Sequence, residues 1–285
     1  MRTTLAHPLV TLVIVAAVFW DAWRWYGARI AATPEEALAL ALTVLLVLVA
    51  GTRARNGPWR LHNVPLLPLA GFFAAYAAGH TIAQPFAPAI ALAAIAVTAV
   101  LYALYRALAG ERPPVAFYAL AALSLPVLPS LQFVLGFPMR VVSASITVGL
   151  LNLQGVAVTR EGTHLRWSGE TIQFDAPCSG VNMLWAGMML TLAACILWKS
   201  GWISTALALG ASLLLTLIAN VLRAVSLFYV EAELVTGVPA WGHEAIGLAA
   251  FALSSAVTIW MLNGLKAREP ERWEPEQCKE ERCKA

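Results

Sequence analysis

The sequence predicts an all-α polytopic membrane protein: a bundle of about eight transmembrane helices with a small extracytoplasmic insertion, an interfacial helix followed by a β-meander. Three observations predict it. Of the 285 residues, 60% are hydrophobic and 12% charged, against roughly 25% charged in a soluble domain, and the mean hydropathy is +0.71. The apolar residues gather into runs long enough to cross about 30 Å of hydrocarbon, where backbone polar groups must be satisfied internally, as a helix does. Arg and Lys are divided unequally between alternate connecting segments, which sets an orientation.

The runs lie at 5–23, 37–51, 64–79, 85–108, 115–135, 181–198, 202–229 and 245–265, the second and third shorter than ideal. With the N-terminus inside, cytoplasmic segments hold Arg2, then Arg53, Arg55 and Arg60, then Arg106 and Arg112, then Lys199, then the tail from Lys266. The other side holds Arg24, Arg29, Arg140, Arg160, Arg166 and, at a helix end, Arg223. That division of the 19 basic residues, 13 against 6, predicts that both termini are cytoplasmic.

The expected organisation is an integral membrane domain over 1–265, with its insertion over 136–176, and a charged cytoplasmic tail over 266–285. The first run has no A-x-A-like cleavage site and further spans follow it, so no cleaved signal peptide is expected. Cys178 and Cys195 fall in apolar or membrane-edge segments and Cys278 and Cys283 in the charged tail, which is not a secreted disulfide framework. A net charge of +3 gives no argument for nucleic acid.

Within the insertion, 137–153 places Met139, Val142, Ile146, Leu150 and Leu153 on one helical face, with Arg140, Ser143 and Thr147 elsewhere. That pattern fits a helix lying in the membrane interface. The segments 156–160, 163–167 and 170–174 alternate as strands do, separated by Glu161-Gly162 and Ser168-Gly169 turns.

The chemistry centres on 175–184, D-A-P-C-S-G-V-N-M-L, where this polar insertion gives way to a long apolar helix. Pro177 suits a helix entry, which puts Cys178 in the first turn, where unpaired N–H groups and the macrodipole favour a thiolate. The plainer reading of a lone cysteine is a small packed residue, the usual fate of buried thiols. In the seventh run Asn220 and Arg223 stand three residues apart, hence on one face. An Arg near a helix centre costs roughly 2.5–3.5 kcal/mol to insert and marks function by default. Snorkelling to the interface is the plain alternative, which a second polar residue on the same face weakens.

Trp241-Gly-His-Glu244 opens the last run and sets His243 on the same outer surface as Cys178 and Arg223. His80 and His164 are also expected outside; the first lacks a companion motif and the second sits on a strand. A thiol, a guanidinium and an imidazole together fit acyl transfer, with a nucleophile, an oxyanion or carboxylate anchor and a proton relay. Asn220 and the backbone near Ser179 and Gly180 are candidate oxyanion donors, and Asn182, four residues after Cys178, a candidate orienting group. Cys178 and His243 supply two plausible metal ligands where catalytic zinc takes three, and no metal or cofactor is expected. Cys278 and Cys283, with no nearby His, are a weak metal pair.

The P-C-S-G of 177–180, the N-x-x-R of 220–223, and His243-Glu244 with Gly247, on an eight-helix scaffold, resemble the exosortase/archaeosortase family over about 135–265. The resemblance implies a membrane cysteine protease and transpeptidase of the bacterial inner membrane, working on the extracytoplasmic side. Its substrates would be membrane-anchored proteins with a C-terminal sorting signal of the PEP-CTERM type: a short motif, often Pro-Glu-Pro, then a transmembrane helix and a basic cluster. The acyl acceptor would be water or an amine on a lipid or glycan. Cys178 would be the nucleophile, Arg223 a catalytic group and His243 the proton-transfer group. Some relatives carry a further soluble domain after the last helix, where this sequence shows a short tail. Two other classes fit the residues: a transporter whose pathway is lined by Arg223 and Asn220, and a non-catalytic assembly factor for envelope polysaccharide or secretion.

Overall fold

A computed structural model of the chain describes residues 5–32, 34–53, 61–81, 88–173, 179–239 and 241–266. Ten helices follow in order: α1 (Pro8–Val18), α2 (Trp20–Ala32), α3 (Pro34–Arg53), α4 (Leu66–Thr81), α5 (Ala89–Ala109), α6 (Val115–Leu123), α7 (Leu128–Leu153), α8 (Val181–Leu197), α9 (Trp202–Glu231) and α10 (Gly242–Lys266). Strands β1 (Leu5–Ala6) and β2 (Val64–Pro65) form one antiparallel pair. Strands β3 (Thr159–Glu161), β4 (His164–Trp167) and β5 (Glu170–Gln173) form a second, antiparallel sheet in sequence order, with Arg160 opposite Leu165 and Leu165 opposite Ile172.

Helices α5, α7, α9 and α10 are each long and apolar enough to cross a membrane. The pair α1 and α2, bent by 75° at its break, makes a fifth candidate, and Ala37–Arg53 and Val181–Leu197 are shorter apolar helices. Together with an outer surface that exposes Phe133, Leu153 and Trp260 by 89%, 85% and 75%, this is a polytopic membrane protein of four to five candidate spans, where eight were expected.

Two departures from the expected runs have local causes. The 5–23 run breaks at Phe19, whose fully buried ring packs edge-on against Tyr76 and beside Phe73. The chain then continues as α2, whose Asp21, Arg24, Arg29 and several Trp residues have the composition of a membrane interface. The 115–135 run is not one helix either. Pro126 lacks a backbone donor and disfavours helical φ/ψ at Leu125, so α6 stops at Leu123, and Pro129, tolerated in a first turn, lies at the start of α7.

That restart changes the insertion. α7 passes through Gly136, the expected boundary, and the expected interfacial helix of 137–153 is its C-terminal half. Its orientation is the reverse of a soluble amphipathic helix: Gly136, Ser143 and Thr147 are buried while Val142 and Ile146 face outward. In lipid that is the stable arrangement, since tails solvate the apolar face and the small polar face must find protein partners.

Two cores result. One surrounds α5, whose Ala93, Ala96, Ala99, Ala103 and Ala107 let neighbouring helices approach closely. The other joins α7, the three-stranded sheet and the end of α9 through Ala144, Leu151, Val158, Leu165, Val225 and Phe228. Trp167 of β4 meets Phe228 edge-on at 6.0 Å. The sheet therefore seats beside the stretch of α9 that carries Arg223.

Candidate active site

The site grows from the start of α8. Gly180 is its N-cap, in the left-handed region at φ 76°, and α8 proper begins at Val181. Cys178, expected in the first turn of this helix and on one face with Asn182, lies outside the described residues. Gly180 sets the chain's direction here because its φ is one that L side chains rarely adopt. It also lies close against α9: a Cβ at Gly180 would stand 2.7 Å from Cγ of Asn220.

A clamp from α7 fixes the same turn. Gln132 Nε2 donates to Asn182 Oδ1 at 2.7 Å, and Ser179 Oγ donates to Gln132 Oε1 at 3.3 Å. The Val181 N–H in turn donates to Ser179 Oγ at 3.3 Å, so a buried serine caps the start of α8. One side chain thus holds residues on both sides of Gly180.

Asn220 on α9 is fully buried, and its Nδ2 donates to Ser143 Oγ of α7 at 3.0 Å. One turn further along α9, Arg223 lies half-buried across Gly247 of α10, where a Cβ would stand 3.3 Å from its Nε and 3.9 Å from its Cζ. The absent side chain at Gly247 is what lets α10 close over the guanidinium stem. His243, one turn before Gly247 on the same face of α10, has its Nε2 3.3 Å from Oε1 of Glu231, the last residue of α9; both side chains are about half exposed.

The structure therefore links Ser179, Gly180, Asn182 and Asn220 at a junction of α7, α8 and α9, with Arg223 one turn along α9 against Gly247 of α10 and His243 one turn before that glycine. It places the competing histidines elsewhere: His80 at the end of α4 against Tyr76, and His164 on β4. Cys195 is buried in the α5 core, while Cys278 and Cys283 lie outside the described residues. Among the described residues no group of three or more His, Cys, Asp or Glu is placed to hold a metal ion.

Gln132 and Glu231 carry no motif in the sequence, and Ser143 reads there only as a residue off the apolar face of 137–153. Gln132 is a solitary amide in an apolar stretch, and Ser143 follows it by eleven residues, close to three helical turns and so on one face. That signal is visible only when 128–153 is read as one helix. Chemically, a guanidinium and a carboxamide sit one turn apart on α9, the carboxamide against Gly180 at the start of α8 and the guanidinium against Gly247 of α10. Such fixed donors suit an oxygen that gains negative charge.

Comparison with curated proteins and with solved structures returns no match. The transmembrane exosortase family (Exosortase_EpsH) matches residues 1–260, nearly the whole chain, and this protein belongs to that family.

Proposed function

We propose that the chain is a membrane-embedded cysteine protease and transpeptidase that cleaves a C-terminal sorting signal of the PEP-CTERM type from membrane-anchored proteins. The observation that carries this reading is the interlock of three distant motifs at two glycines. Gly180, two residues after Cys178, leaves no room for a side chain beside Asn220, and Gly247, one turn from His243, leaves little beside Arg223.

The substrate's peptide bond meets the Cys178 thiolate, which attacks the carbonyl carbon and pushes its π electrons onto oxygen. Arg223, Asn220 and the backbone N–H groups near Ser179 and Gly180 stabilise that oxyanion. On collapse the C–N bond breaks, His243 as imidazolium gives its proton to the departing amine, and a thioester on Cys178 remains. Water or an amine on a lipid or glycan then takes the acyl group and regenerates the thiol. The orientation belonging to this reading follows the basic residues: both termini cytoplasmic, the site on the extracytoplasmic side of the bacterial inner membrane, and the β3–β5 sheet beside it. The contact of that sheet with α9 next to Arg223 supports placing them on one side.

The test is processing of a co-expressed membrane protein with a Pro-Glu-Pro type C-terminal signal, several candidate signals being tried. Wild type should shorten the substrate, and Cys178→Ala should leave it intact while inserting normally. Equal processing by both would remove the thiol from the mechanism.

A further inference from the structure

A second polar cavity lies away from this junction, between α2, α4 and the start of α5. It encloses about 370 Å³ and is lined by Asp21, Trp25, Tyr76 and His80 over small and aliphatic neighbours. That volume lies within the range of small-ligand sites. Its walls bring together one carboxylate, an indole, a phenol and an imidazole. The walls are also held in place. Tyr76 is buried, with the Phe19 ring edge-on at 4.7 Å and the His80 ring at 5.0 Å. The kink at Phe19 that turns α2 by 75° is thus the feature that brings Asp21 over Tyr76.

The chemistry of the walls selects for a cation with N–H donors. A carboxylate attracts positive charge, aromatic faces attract it through their quadrupoles, and the carboxylate and the phenol oxygen accept hydrogen bonds. Among the described residues Asp21 forms no ion pair, and neither does Arg24, three residues on and on the same side of α2. Both are exposed. A carboxylate and a guanidinium one turn apart that do not engage each other match a ligand carrying an ammonium and a phosphate. The composition of α2 names the source: Trp20, Trp23, Trp25, Arg24 and Arg29 are the residues of a helix at headgroup depth.

We propose that this pocket binds the headgroup of a zwitterionic aminophospholipid, its primary ammonium between Asp21, Trp25, Tyr76 and His80 and its phosphate at Arg24. The site is separate from the candidate active site and holds whether or not the protease reading does.

The test uses detergent-purified full-length protein titrated with short-chain phosphatidylethanolamine, phosphatidylcholine and phosphatidylglycerol, with binding read by calorimetry. Wild type should prefer the ethanolamine lipid over the choline lipid by about tenfold, the loss expected when a charge-assisted hydrogen bond has no donor. Asp21→Asn, at an exposed position, should abolish that preference and leave phosphatidylglycerol binding unchanged, and Trp25→Leu should weaken it. Equal binding of the three lipids by wild type, an unchanged preference in Asp21→Asn, or Asp21-dependent binding of a divalent cation that displaces the lipid would each overturn the assignment. Soluble phosphoethanolamine competing as well as the lipid would overturn the lipid source.

Discussion

At the scale of single residues, the site depends on two glycines whose missing side chains set how closely three helices meet. A Cβ at Gly180 would overlap Asn220 and would also occupy a left-handed φ. Gly180→Ala should therefore cost about 1–3 kcal/mol and lower activity strongly, measured as a fall in Tm together with loss of substrate processing. Gly247 is helical and its contact with Arg223 is looser. Gly247→Ala should move Arg223 more than it destabilises the fold, so activity falls while Tm changes little. Arg223→Lys keeps the charge but loses the planar fork, and processing should drop as in Arg223→Ala if the guanidinium binds an oxyanion or carboxylate. The residue types of this site were legible in the sequence because an Arg, an Asn and a His near apolar helices stand out against a cost. Their partners were not, since a Ser or Gln hydrogen bond depends on which helix face is turned inward.

At the scale of elements, α7 is where sequence reading and structure part. Hydropathy runs on through 115–135, so a break at Pro126 inside it is invisible to a window that averages apolarity. The apolar face expected over 137–153 belongs to the C-terminal half of α7 instead of a separate interfacial helix, with Val142 and Ile146 outward and Ser143 and Thr147 inward, as lipid favours. The strands β3 to β5 were easier, since alternation and Gly turns at 162 and 169 are local signals. The clamp from α7 yields a prediction at this scale. Gln132→Leu leaves the buried Ser179 hydroxyl without its acceptor, at about 1–3 kcal/mol, and loosens the turn that follows Cys178. Processing should fall more steeply than Tm, and Gln132→Glu, which keeps an acceptor for Ser179, should recover part of it. The α9–α10 corner gives a contrast: Glu231 and His243 are half exposed, so Glu231→Gln should reduce processing only a few-fold while His243→Ala abolishes it.

At the scale of the molecule, the account joins a bundle whose outer surface is apolar to a polar junction at one of its ends. The sequence made the membrane class plain through composition, whereas among the described residues four to five helices reach span length, because the runs at 37–51, 64–79 and 181–198 form shorter apolar helices with the hydropathy of spans. If the junction faces the extracytoplasmic side, a membrane-impermeant thiol reagent should label single cysteines introduced at position 164 and at position 243 equally in intact cells, and one at position 199 only after permeabilisation. Labelling of 164 and 243 from opposite sides would break the mechanism. The central claim is that Cys178 carries the acyl group. Its most direct measurement is the mass of the peptide containing Cys178 after the full-length protein is mixed with a synthetic signal-bearing substrate and quenched in acid. The account predicts an added mass equal to the substrate's N-terminal fragment, absent in Cys178→Ala and much reduced in Arg223→Ala. Substrate cleavage without that adduct, persisting undiminished in Cys178→Ala, would contradict it.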